Sequence, residues 1–104
     1  MDHARVLGAL QRFVFNNTTI AGAPDDTGVF VLWEGTEVTF VGLAASPDGG
    51  IKAELLALVE KRRRCACSPT HYSWLLSRDP ITAASDVLRE HSRYFSELPR
   101  CNRA

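Results

Sequence analysis

The residues best suited to chemistry cluster late in the chain. Lys61-Arg62-Arg63-Arg64 runs into Cys65-x-Cys67, His71 follows, and His91 and Cys101 come later. Two thiols near an imidazole raise the question of zinc. Structural zinc sites favour Cys-x2–4-Cys and need a second ligand pair, for which only the distant His91 and Cys101 remain. A solvated loop carrying two small thiols is the plainer reading, and no metal is expected there. His91 falls on or near an apolar helical stripe, where a core-edge histidine is commoner than a catalyst. The basic run suits a solvated helix C-terminus, and it is also the one patch through which the chain would meet phosphate. Gly49-Gly50 precedes a helix but lacks the lysine-serine pair of a phosphate loop. Neither His71 nor His91 has a nucleophile-elbow context.

These residues belong to a neutral chain. Lys plus Arg and Asp plus Glu both number 12 among 104 residues, of which 45% are hydrophobic and 23% charged. That length suits one domain, 1–104, with one modest core. No net surplus of cations favours nucleic acid, and little mutual repulsion opposes self-association. The segment Met1-Asp2-His3-Ala4-Arg5 does not lead into an apolar secretory core, and no apolar run approaches the ~20 residues of a membrane span. An odd cysteine count with a Cys-x-Cys pair is no disulfide framework, so reduced thiols in a cytoplasmic protein are expected.

The elements that must position these groups follow from periodicity. Leu7, Leu10 and Val14, with Val6 and Phe13 beside them, predict an amphipathic helix over Ala4 to Phe15, broken by Asn16-Asn17-Thr18-Thr19. The loop Gly22 to Gly28 leads to an apolar run, Val29 to Trp33, and a β-branched and aromatic run, Glu37 to Val41. The turn at Glu34-Gly35 makes these two a hairpin. After the loop Ala45 to Gly50, Ile51, Leu55, Leu58 and Val59 predict a second helix ending in Lys61 to Arg64. Tyr72, Trp74 and Leu76 alternate with polar residues and predict a third strand over His71 to Leu76. Asp79 caps a last helix and Pro80 occupies its first turn. Ile81, Ala84, Leu88 and His91 line one face of that helix, with Val87 and Phe95 beside it. The expected fold is α+β, a small three-stranded, mostly antiparallel sheet flanked by helices, with an extra N-terminal helix.

Gly28-Val29-Phe30 and, ten residues on, Phe40-Val41-Gly42 carry one aromatic, branched and glycine signature on both arms of the hairpin. Thr70-His71-Tyr72-Ser73-Trp74 with Asp79-Pro80, and the closing Pro99-Arg100-Cys101-Asn102, complete a pattern that resembles the GIY-YIG nuclease superfamily over Thr27 to Asn102. The resemblance implies a DNA-cutting fold with two tyrosines near a metal and the attacking water. It also implies an arginine in the second helix, a metal-binding glutamate in the last and an asparagine near the end. Here the tyrosine positions carry Phe30 and Phe40, which have no hydroxyl to move a proton. The arginine falls on Glu54, which inverts the charge. Lys52 lies two residues away and points elsewhere on the helix. The glutamate falls on Ala84 or, with a one-residue slip, Ser85, and neither can replace a carboxylate at a hard-cation site. Asp86, the nearest acid, faces away. Only Gly42 and Asn102 match in kind.

The resemblance with these departures implies a degenerate member, not an enzyme and without a cofactor, acting as a binding or assembly module. Weak, sequence-independent DNA contact would run through Lys52, Lys61, Arg62, Arg63, Arg64 and Arg78. One alternative is an active Mg²⁺- or Mn²⁺-dependent endonuclease with an atypical site, Glu54 and Asp86 serving as ligands. Another is a protein-interaction module. If the alignment is right, Phe30, Phe40, Glu54 and Ala84 or Ser85 converge at one edge of the sheet.

Overall fold

Val29 to Trp33 is apolar at every position because this strand is covered on both sides. In the computed structural model, which describes residues 7, 9–45, 49–60, 68–95 and 97–102 (position 94 by its backbone alone), it belongs to the central strand β2, Gly28–Glu34. The other strands of its sheet are β1, Phe13–Val14, β3, Glu37–Ala44, and β4, His71–Leu76. The sheet has four strands in the order β1-β4-β2-β3, every pairing antiparallel. The two-residue loop of the β2–β3 hairpin places Gly35 at φ 64°. A Cβ there would meet nothing within 4 Å, so the glycine answers a backbone requirement.

The expected three-stranded sheet is corrected by β1, and so is the expected helix through Phe15. Phe13 pairs with Tyr72 and Val14 with His71. Leu7 and Ala9 have helical backbone, while positions 4–6 and 8 lie outside the described residues. A short helix α1, Asn17–Ile20, occupies the segment expected to be a break. The Asn16 side chain accepts from the Thr19 N–H at 2.8 Å and caps it, as a short polar residue does at a helix start.

Alternation along β2 divides the core in two. Val29, Val31 and Trp33 join Val38, Val41, Ala84 and Val87 on one face. Phe30 and Leu32 join Ile20, Ala44, Ile51, Leu55 and Tyr72 on the other. Helix α2, Gly50–Glu60, therefore covers the Phe30 face, and helix α3, Pro80–Phe95, covers the Val31 face. A bulge adjusts β3 to this division. Leu32 faces Phe40 while Trp33 faces Val38, which leaves Thr39 as the extra residue. Its buried hydroxyl donates to the Leu32 carbonyl at 3.3 Å, and Val38 and Val41, three apart, thereby reach the same core.

Asp79 caps α3 as expected, its carboxylate accepting from the Thr82 N–H at 3.3 Å. The Thr82 side chain first, then its amide, hold the Asp79 carboxyl below the ordinary range. Ala84, Val87, Leu88 and His91 face inward, but Ile81 is 65% exposed and Phe95 61% exposed. The expected stripe is thus short by one turn at each end. Arg100–Asn102 forms a 3-10 turn against the outer edge of β3. Cys101 in that turn is disulfide-bonded, which corrects the expectation of reduced thiols. No helix among the described residues is long and apolar enough to cross a membrane.

Candidate functional site

The hairpin signature turns out to be a packing unit. Phe30 is 3% exposed and sits directly across from Gly42. A Cβ built on Gly42 would enter the Phe30 ring at Cζ, so glycine is what lets that ring lie over β3. The Phe40 ring lies on the same face, 6.0 Å from Phe30 between centroids and inclined by 43°. These three positions do come together.

The remaining motif positions do not join them. Ala84, 5% exposed, is part of the core under α3, across the sheet from Phe30. Ser85 is exposed on that same helix, and Glu54 is exposed on α2. The expected convergence on one sheet edge is therefore not found: the sheet itself separates Phe30 from Ala84. Asp86 pairs with Arg89 at 3.0 Å on α3, so Glu54 and Asp86 occupy helices that cover opposite faces. Asn102 reaches β3 and makes two hydrogen bonds with one backbone unit. Its Oδ1 accepts from the Val41 N–H at 2.7 Å and its Nδ2 donates to the Val41 carbonyl at 2.9 Å. The side chain closes the strand edge much as another strand would.

Of the candidate phosphate contacts, Lys52 lies 3.6 Å from Asp25 and Arg78 is exposed. Lys61 to Arg64 lie outside the described residues, as do Cys65 and Cys67. At the start of α2 the Ile51 and Lys52 N–H groups are already taken, donating to the carbonyls of Asp26 and Pro24 at 3.0 and 2.9 Å. His71 shares a hydrogen bond with the Thr70 hydroxyl at 2.9 Å. Among the described residues, no group of three or more His, Cys, Asp or Glu is placed to hold a metal ion.

The side chains that do converge around open space are others. A cleft of about 300 Å³ opens where the start of β3, the end of α3 and the C-terminal segment meet. Glu37 and Val38 line it from the hairpin, His91 and Phe95 from the helix, and Leu98 and Arg100 from the tail. His91 is 5% exposed, its Nδ1 lies 3.0 Å from the Glu97 carbonyl, and its ring centroid is 4.6 Å from that of Phe95. Arg100 donates to Glu34 at 2.7 Å, and Glu34 also accepts from the Ser68 N–H at 2.6 Å. The Ser68 amide first, then Arg100, hold the Glu34 carboxyl below its ordinary range, and the Arg100 guanidinium is correspondingly held above its own.

His91 was visible in the sequence as a core-edge histidine. Glu37 and Arg100 were not, since they are 63 positions apart and only the return of the tail to the hairpin joins them. Glu37 did carry one faint signal, an acid directly after the two-residue turn Gly35-Thr36, at the head of a strand otherwise rich in apolar residues. No protein-family model, no curated protein and no solved structure matches the chain.

Proposed function

We propose that this chain is a binding or assembly module on a GIY-YIG-like scaffold, without phosphodiester chemistry of its own. The observation that carries the reading is the division of the motif positions. Phe30, Phe40 and Gly42 pack together under α2, while Ala84 is built into the core on the other face. Phosphodiester cleavage needs an activator for the nucleophile, a metal for the developing charge and a cation on the phosphate, all around one atom. The order hairpin, helix, strand, helix supports the scaffold assignment. The separation of Glu54 from Asp86 weighs against the alternative in which they ligate Mg²⁺ or Mn²⁺ together.

A protein partner or a second copy is favoured over DNA as the principal ligand. Among the described residues, Lys52, Arg89 and Arg100 each lie against a carboxylate, of Asp25, Asp86 and Glu34, and the chain is neutral. Contact with DNA through Lys52, Arg78 and Lys61 to Arg64 would then be weak and indifferent to sequence, and would fade steeply as salt rises. A cytoplasmic location fits the sequence, and the Cys101 disulfide pulls the other way, because disulfides are rare where thiols are kept reduced. Supercoiled plasmid incubated with the protein and Mg²⁺ or Mn²⁺ tests the reading. It should stay intact. Nicking that disappears in a Glu54→Ala, Asp86→Ala double variant establishes the nuclease instead.

A further inference from the structure

The cleft at His91 selects its ligand through donors and acceptors. A backbone carbonyl only accepts, so the Nδ1 facing Glu97 carries the proton, and in an imidazole of that tautomer the lone pair lies on Nε2. Nε2 has no partner among the described residues, and none of their side-chain nitrogens or oxygens is both buried and unpartnered. Nε2 is therefore open to the cleft that the ring lines. Glu37, exposed at the mouth, makes no ion pair among the described residues. Among the described residues that line the cleft, Arg100 is the one guanidinium; it is hydrogen-bonded to Glu34 and attracted more weakly by Glu37. Among the described residues, one cation is set against the Glu37 and Glu97 carboxylates of the lining and the Glu34 carboxylate beside Arg100, which leaves the mouth net negative. Behind it, Val38, Phe95 and Leu98 provide apolar wall.

We propose that this cleft binds a lysine side chain of a partner polypeptide. The ammonium donates to His91 Nε2 and is attracted by the Glu37 carboxylate, while the methylenes lie along Val38, Phe95 and Leu98. A compact ammonium suits one lone pair and one carboxylate. A guanidinium fork calls for a pair of parallel acceptors, and the carboxylate placed to act so, Glu34, is already held by Arg100. The inference goes beyond the binding-module reading and does not depend on it, since plasmid nicking would remove that reading and leave the cleft unchanged.

NMR of the His91 ring in the full chain tests the proposal, with Nα-acetyl-lysine methylamide as probe and its uncharged norleucine counterpart as control. The lysine probe should shift the ring resonances saturably, with a dissociation constant in the millimolar range expected of a single side chain. The norleucine probe should not. Glu37→Gln, an exposed change that leaves the core alone, should weaken the lysine probe about tenfold, as loss of one charged contact does. Absence of a saturable shift, equal shifts from both probes, or unchanged binding in Glu37→Gln would each overturn the proposal.

Discussion

The two arms of one hairpin serve two regions of opposite character. On the α2 face, Phe30, Phe40 and Gly42 meet as ring, ring and vacancy, and none of the three carries a polar side chain. At the far end of β3, Glu37 and Val38 meet His91, Phe95 and Arg100 around open space, with an imidazole and a carboxylate among the lining groups. The first region carries the recognisable sequence signature and the second carries none. A signature built of glycine and aromatics records a packing solution, and such a solution persists whether or not a reacting group stands beside it.

Restoring the glutamate that the resemblance implies would break this comparison most violently. Ala84→Glu should destabilise by about 3–5 kcal/mol, the scale of an uncompensated buried charge, in a domain whose whole stability is of order 5–15 kcal/mol. Chemical denaturation reads this directly, and a well-folded variant that gains Mg²⁺ affinity would show that position 84 faces a site after all. Gly42→Ala should cost about 1–3 kcal/mol, the usual range for overpacking. Trimming the opposing ring with Phe30→Leu should relieve part of that cost, and a double-mutant cycle yielding simple additivity would mean the two positions do not touch. Asn102→Ala should lose about 1–2 kcal/mol, because it leaves the Val41 N–H and carbonyl without their partners. Glu37→Gln, by contrast, should scarcely alter the denaturation midpoint, which separates a residue placed for binding from one placed for closure.

The smallest effect concerns acid. The Glu34 carboxyl is lower in the folded protein than its ordinary 4.5, so the unfolded chain takes up the proton first as pH falls. The stability it confers is present above 4.5 and is lost as pH drops through the lower folded value. Denaturation midpoints of the wild type and of Glu34→Gln should therefore run parallel at neutral pH and converge in acid. Because Glu34 and Arg100 are both in contact with water, the convergence is slight. A gap that stayed constant into acid would mean the pair confers nothing.

Much of the fold is written locally. The turn glycine and the β-branched runs specify the hairpin, Asp79-Pro80 specifies the start of α3, and the alternation of Tyr72 and Trp74 specifies β4. Strand β1 was illegible because Leu7, Leu10 and Val14 also satisfy a helical period. Two residues became a strand only because β4 offered them a free edge. The site was less legible still. Periodicity gives Phe30 and Ala84 each an inward face but not which side of the sheet each helix covers, and that choice decides whether they share a site. The cleft depends on a returning tail, pinned by Asn102 on Val41 and Arg100 on Glu34, and no local pattern encodes that return.

A binding module of the proposed kind holds no metal ion at the motif positions. Titration of Mn²⁺ into isotopically labelled protein tests it most directly, because the ion broadens the amide signals nearest to it. No selective, saturable broadening of Phe30, Phe40, Gly42 and Ala84 is expected. Saturable broadening centred on those four amides, abolished in Glu54→Ala, would contradict it.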